Sequence, residues 1–411
     1  MRITVTTFSG LKLAMLADPG WTRRDICARV PGLTGPRLRA ARLLAGSTEV
    51  ADGAPLSSHG IEDGAWLQLL LDERKGLMVL TTSEDCTAKL WSAETGECVR
   101  TLRGHTASVE AASFSPSEAL LVTASDDCTA RVWSIETGER LFVLEGHEKH
   151  VMSTSFSPDG ARVLTASGDG TAKLWSTNTG ECLHTLGGHD DTVESASISP
   201  DGTRVVTGCD SWAKVWDAES GECLHMWELP RDDIMTTTFF SQLGARVVSA
   251  ADSESIMTLW DAASGERLES MDHDGLSMSA AFSPDGARLV TAAVDGHAKV
   301  WSAKSGQCLH TLEGHREGLR RAVFSPDGLR VATASYDGTA NVWSTESGEC
   351  ICRLEGHLDV VELASFSPDC TLVVTASEDA TAKVWNAETG ECLHTLSGHS
   401  ACVTSAVFSL P

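Results

Sequence analysis

Eight tryptophans, Trp91, Trp133, Trp175, Trp216, Trp260, Trp301, Trp343 and Trp385, recur every 41 to 44 residues. Each closes a stretch like "TASGDGTAKLW" and is followed by a turn such as "TGEC". Most units then run through "LEGH" into a segment ending "FSPDG". A fixed period of this kind excludes most folds, because every unit must be the same supersecondary element stacked on its neighbours. Within one period, "DTVESASISPDG", "TRVVTGCD", "SWAKVW" and "GECLHMW" are four short β-prone runs separated by turn chemistry. Four antiparallel strands per period of about 42 residues make one propeller blade.

These repeats resemble the WD-repeat family, whose Gly-His and Trp-Asp dipeptides bracket each repeat. The resemblance covers residues 77–411. Most tryptophans here precede Ser or Asn, and Trp216 and Trp260 alone among the eight precede Asp. With strands named a to d from axis to rim, the first unit offers b (Leu77–Thr82) and c (Thr87–Trp91) without an a. The last segment, "ACVTSAVF", offers an a (Val403–Phe408) with nothing after it. The C-terminal strand is therefore expected to insert as the inner strand of blade 1, removing two exposed sheet edges. Inner strands ending at Phe114, Phe156, Ile198, Phe240, Phe282, Phe324, Phe366 and Phe408 count eight blades. Seven is the family's commonest number, so a seven-bladed ring with one degenerate repeat outside it stays open. The expected fold class is an all-β, eight-bladed propeller with a small α+β domain before it.

The resemblance also implies a hydrogen-bonded set of His, Ser or Thr, Asp and Trp in each blade. It maps to His105, Ser125, Asp127 and Trp133 in blade 2, and to His147, Ser167, Asp169 and Trp175 in blade 3. Blade 7 has His315, Ser335, Asp337 and Trp343, and blade 8 has His357, Ser377, Asp379 and Trp385. Blade 1 combines His399 with Ser83, Asp85 and Trp91, joining the chain's two halves. Three blades depart: blade 4 carries Gly208 and blade 6 carries Ala293 where Ser is expected, and blade 5 has "LPRDD" for Gly-His and Glu254 for Asp. The blade 4–6 arc is expected to be the least stable. Five copies of a Ser-His-Asp set suit scaffolding and not one catalytic triad. The "ECLH" pairs Cys182/His184, Cys223/His225, Cys308/His310 and Cys392/His394 fall on outer strands around a rim, so no four ligands are expected to converge on zinc. These cysteines are expected to be small buried thiols.

Residues 1–72 lack the repeat. "MRITVTTFSGLKLAML" reads as a hairpin turning at Ser9-Gly10, and "WTRRDICARV" has helical spacing at Ile26 and Val30. A strand, turn and final strand follow. The segment resembles ubiquitin at Arg42-Leu43-Leu44-Ala45-Gly46, Asp52-Gly53, Leu56-Ser57, Ile61, Leu67, Leu69 and Leu71. That resemblance implies an apolar docking patch at Phe8, Leu44 and Leu70, either free or packed on the propeller. A free diglycine tail is lacking, since "LDERKG" runs into blade 1, and conjugation is not expected. The domains expected are 1–72, a linker at 73–76, and the propeller at 77–411. Strand alternation puts the ubiquitin-like module under the Ser-Pro-Asp-Gly face and leaves the Gly-His face open.

Two registers vary between the near-identical repeats on that open face. Five residues after each His come Glu110, Met152, Glu194, Met278, Arg320, Glu362 and Thr404. Before each turn Asp come Glu84, Asp126, Gly168, Cys209, Val294, Tyr336 and Glu378. Tyr336 is the chain's one tyrosine. With Arg320 and Met278 nearby it suggests an apolar anchor beside acidic positions in blades 1, 2, 4 and 8 that would suit a basic ligand.

The formal charge of −25 falls almost wholly on the repeats. Such a surface repels phosphate backbones, so nucleic acid is not expected as a partner. No run is apolar enough to span a membrane. Thirteen cysteines without a secretory signal suggest reduced thiols in the cytoplasm or nucleus. No phosphate loop, metal cluster or unique nucleophile appears, and no cofactor is expected. The reading is a non-enzymatic adaptor, a monomeric ring binding proteins or peptides. The alternative is a ubiquitin-pathway component such as a ligase substrate receptor. Against one subtype, Trp216-Asp217-Ala218-Glu219 and Trp260-Asp261-Ala262-Ala263 lack the Trp-Asp-x-Arg of many cullin-docked receptors.

Overall fold

The computed structural model describes residues 2–6, 12–16, 41–45, 48–49, 65–71, 76–209, 212–228, 235–241, 244, 246–251, 256–272 and 275–409. The chain divides into two compact units, residues 1–76 and 77–411.

In the first unit, Arg2–Thr6 pairs antiparallel with Lys12–Leu16 and parallel with Ala65–Leu71. The last of these also pairs antiparallel with Ala41–Ala45, which carries the short Thr48–Glu49 at its edge. Leu67 is buried. The helix expected around Ile26 and Val30 lies outside the described residues.

The second unit is eight four-stranded antiparallel sheets. Seven are built from consecutive strands. The eighth pairs Val403–Phe408 with Met78–Ser83, followed by Thr87–Ser92 and Cys98–Arg103. The C-terminal strand is thus the inner strand of blade 1, and the ring has eight blades. Beyond the strand ladder, the Met78 and Ser409 backbones bond at 2.8 Å and Ser409 Oγ accepts from the Met78 N–H at 3.1 Å.

The core lies between blades. Val122, Val132 and Leu144 of blade 2 pack on Phe156, Val163 and Trp175 of blade 3. Val374, Val384 and Leu396 of blade 8 pack the same way on Phe408, Val79 and Trp91 of blade 1. Middle strands are covered on both faces, which is why "VVTAS" and "AKVW" read as near-continuous apolar runs instead of alternating. Each interface buries a Trp and usually a Phe, worth roughly 1.5–3 kcal/mol apiece. Blades 4 and 5 put Trp227 and Met271 where the other outer strands end on Leu, and Trp227 stacks on Trp260 at 5.2 Å between centroids. No helix among the described residues is long and apolar enough to cross a membrane.

Candidate functional site

The polar set of each blade forms with one change of membership. In blade 2, the Trp133 indole N–H donates to Thr123 Oγ1 at 2.9 Å, and that hydroxyl bonds His105 Nε2 at 2.8 Å. His105 Nδ1 bonds Asp127 Oδ2 at 2.8 Å. The hydroxyl at the hub is therefore Thr123, not Ser125. The same correction replaces Ser83 by Thr81, Ser167 by Thr165, Ser335 by Thr333 and Ser377 by Thr375. Each serine instead ties the turn: Ser125 donates to the Ala107 carbonyl and accepts from the Asp127 amide. His147, His315, His357 and His399 meet Asp169, Asp337, Asp379 and Asp85 at 2.8, 3.1, 2.8 and 2.9 Å. The motif glycine lets its loop approach the tryptophan: a Cβ on Gly314 (φ +157°) would stand 3.1 Å from Trp343 Cη2.

One proton arrangement satisfies every atom. Trp donates to Thr, Thr donates to His Nε2, and His Nδ1–H donates to the ionised Asp, so the imidazole is neutral. Burial lowers the pKa of His147 and His357 despite their Asp partners. Burial also opposes ionisation of Asp169 and Asp379, but Thr171 and Thr381, backbone amides and the histidines outweigh it and hold both carboxyls at about 2.

The 4–6 arc differs. In blade 4, His189 Nε2 and Trp216 Nε1 both bond Thr207 at 2.8 Å, but His189 Nδ1 faces Cys209 Sγ at 3.1 Å where other blades have Asp. The strand register aligns Gly208 with the Ala124 position, so Cys209 and not Gly208 stands at the serine position. This also removes Cys209 from the variable register. The signal was in the sequence: Trp216 lies nine residues after its hub threonine, where the tryptophans of the other threonine hubs lie ten. Blade 5 uses Ser249 as hub for Trp260 at 2.9 Å, while its "LPRDD" segment and Glu254 lie outside the described residues. Blade 6 keeps the Thr291–Trp301 bond at 3.0 Å with Ala293 at the serine position.

On the Gly-His face, the residue before each turn Asp bonds its backbone to the segment entering strand a. Glu84, Asp126, Val294, Tyr336 and Glu378 donate to Cys402, Ser108, Leu276, Gly318 and Val360. Glu84, Asp126 and Glu378 are exposed, while Tyr336, Glu110, Met152, Glu194, Met278 and Glu362 are half-buried. Burial and then Glu84, Glu362, Glu378 and Glu110 push the Cys402 thiol up to about 12. Those four carboxylates therefore gather at one mouth spanning blades 8, 1 and 2. Burial and neighbouring acids raise Glu110, Asp126 and Glu84 being the acids. Glu362 alone of the four forms an ion pair, with Arg320 at 2.6 Å. Arg320 also donates to Tyr336 Oη at 3.2 Å and lies 5.3 Å from the centre of its ring. Burial notwithstanding, Glu362 raises the Arg320 pKa. The tyrosine and the acidic arc, separate features in the sequence reading, are thus joined through Arg320. Their common register in successive blades was the signal for it. Met152 and Met278 are on the inner strands of blades 3 and 6, and Glu194 directly precedes that of blade 4.

The outer-strand cysteines Cys182, Cys223, Cys308 and Cys392 are exposed, not buried, because strand d is the open edge of each sheet. Their histidines reach the next blade: His225 and His394 bond the Ala263 and Glu94 carbonyls at 2.9 and 3.0 Å. Arg100 makes the equivalent link to Ile135 at 3.2 Å. That position is a rim latch, which the sequence reading missed. Among the described residues no group of His, Cys, Asp and Glu is placed to hold a metal. In the first unit, the register pairs Leu44 with Gln68 and Arg42 with Leu70. Phe8 lies outside the described residues.

Comparison with known proteins agrees with this geometry. The family model described as "WD domain, G-beta repeat" matches residues 96–134, 138–176, 180–217, 265–302, 306–344 and 348–386. WD repeat-containing protein 37 of Mus musculus is 41% identical over 61 residues, 15% of this chain and 12% of that protein. Coatomer subunit beta'-1 of Arabidopsis thaliana is 53% identical over 38 residues, 9% and 4% of the two chains. Katanin p80 WD40 repeat-containing subunit B1 of Xenopus tropicalis is 33% identical over 72 residues, 18% and 10%. The chain thus spans a small part of these relatives' length. Among solved structures, the computationally designed Ika8 protein is similar at a TM-score of 0.66 and 31% identity, covering 74% of this chain and 91% of that one. With six matched repeats occupying more than half of its length, the chain belongs to the WD40 repeat family.

Proposed function

We propose that this chain is a non-enzymatic scaffold that binds a basic segment of a partner protein on the Gly-His face, with a ubiquitin-like module before the ring. One observation carries the reading: Glu84, Glu110, Glu362 and Glu378 converge around Cys402, and Arg320 pairs with Glu362 alone. Carboxylates crowded and partly desolvated favour a cation that restores their solvation and charge balance. Beside them, Tyr336 and the exposed Val294 and Leu276 lie together across Gly318 and give apolar contact. The segment suited to this mouth carries Lys or Arg with an apolar residue adjacent. The test is an array of basic peptides probed with the full chain. Binding is expected to fall in Glu84→Gln/Glu110→Gln/Glu378→Gln, and to weaken as salt rises to about 0.3 M. Peptides that bind the triple variant as tightly as the wild type would refute the reading.

A role in the ubiquitin pathway is the second reading. It is favoured by the five-stranded order of the first unit, in which the first and last strands pair in parallel. Loss of proteasome or ligase subunits from affinity-purified material when residues 1–72 are removed is its expected signature.

A further inference from the structure

The inner strands of successive blades neighbour one another around the ring, so solvent reaching the middle of an inner strand stands in the central channel. The third residue of these strands is small or apolar in other blades: Ala111, Ser153, Ser279, Leu363 and Ser405, each opposite the same position of strand b. Blade 7 has Arg321, paired in register with Ala334. Leu319 and Ala322 on either side are buried, while Arg321 is exposed. On the innermost strand that exposure opens onto the channel.

Arg321 makes no hydrogen bond or ion pair with any described residue. The contrast with other arginines of the ring is sharp. Arg320 is held by Glu362 and Tyr336. Arg162, Arg204, Arg246 and Arg330, at the starts of strands b, each donate to a carbonyl of a following blade. A guanidinium on the channel wall with five donors and no protein acceptor is free to take an oxyanion through two of them.

We propose that the central channel is a small-oxyanion site in which Arg321 holds one phosphate-class anion through its forked N–H donors. Arg321 lies one step deeper than the ring position carrying Glu110 and Glu362.

The experiment is a calorimetric titration of inorganic phosphate into the full chain at constant ionic strength. The wild type is expected to show saturable one-site binding. Arg321→Ser introduces the residue present at the same register in blades 3, 6 and 1, so the ring is expected to fold, and affinity is expected to fall by at least about tenfold. Arg316→Gln, an exposed arginine on the Gly-His loop, is expected to bind as the wild type does. Absence of saturable binding in the wild type, or equal binding by a folded Arg321→Ser, overturns the proposal. The readout is independent of any peptide on the Gly-His face.

Discussion

Blades 7, 8, 1, 2 and 3 and blades 4 to 6 share one backbone pattern but satisfy their buried polar atoms differently. In the first arc each hub threonine is flanked by a tryptophan and by a histidine that an aspartate orients. In the second, blade 4 sets Cys209 Sγ against its histidine, blade 5 uses a serine hub, and blade 6 lacks the serine that ties its turn. Yet the sheets there keep four strands and full registers. Interblade apolar packing therefore makes the blade, and the polar network adds rigidity at the Gly-His end. The binding mouth proposed above lies in the fully networked arc, where side-chain positions are best determined.

Three measurements would break or sharpen this contrast. The largest effect is expected from deleting residues 399–411, which takes His399 from blade 1's network and leaves Met78–Ser83 as an open edge. Loss of a single cooperative thermal transition, with association on gel filtration, is the expected outcome; a melt like that of the full chain would show that closure adds little. Next, Thr375→Val in blade 8 strips partners from both Trp385 Nε1 and His357 Nε2, at an expected cost of about 2–4 kcal/mol. Ser249→Ala in blade 5 removes one bond and is expected to cost about 1 kcal/mol. Equal shifts in urea midpoint would erase the distinction between the arcs.

The third measurement concerns acid. Burial and then Lys214 hold His189 down at about 4, Asp190 opposing them only in part. A folded-state pKa below the unfolded 6.5 means that the native state binds fewer protons, so this contribution is complete above pH 6.5 and is lost as pH falls toward 4. The expected loss is on the order of 2 kcal/mol. Asp169 and Asp379, near 2 when folded against 3.8, act in the same direction but only below about pH 4. Hydrogen exchange between pH 7 and 5 should therefore rise first around Thr207 and Trp216. Uniform change around the ring would contradict this.

Much of the fold was legible because the period is long and turn residues punctuate it: strand boundaries and the missing inner strand follow from spacing, while eight blades against seven needed the sheet pairing. The hub hydroxyl was not. Ser125 and Thr123 sit two apart on one strand and thus face the same way, and choosing between them requires the diagonal reach of Trp133, whose direct cross-strand partner is Leu121. The outer cysteines are exposed although cysteine as a residue type favours burial, because strand d is the open edge of its sheet. The ion pair linking Arg320 to Glu362 spans two repeats, which reading each repeat by itself does not reveal.

By itself the sequence determined a propeller of four-stranded blades, since a repeating pattern of apolar runs and turns admits few ways to bury its faces; that all eight stand in the ring was decided by the sheet pairing. Tertiary structure alone decided which polar atoms meet: the threonine hubs, the carboxylates gathered around Cys402, and Arg321 on the channel wall without a partner among the described residues. Such contacts depend on ångström-scale positions of side chains distant in the chain, and local pattern carries no information at that scale.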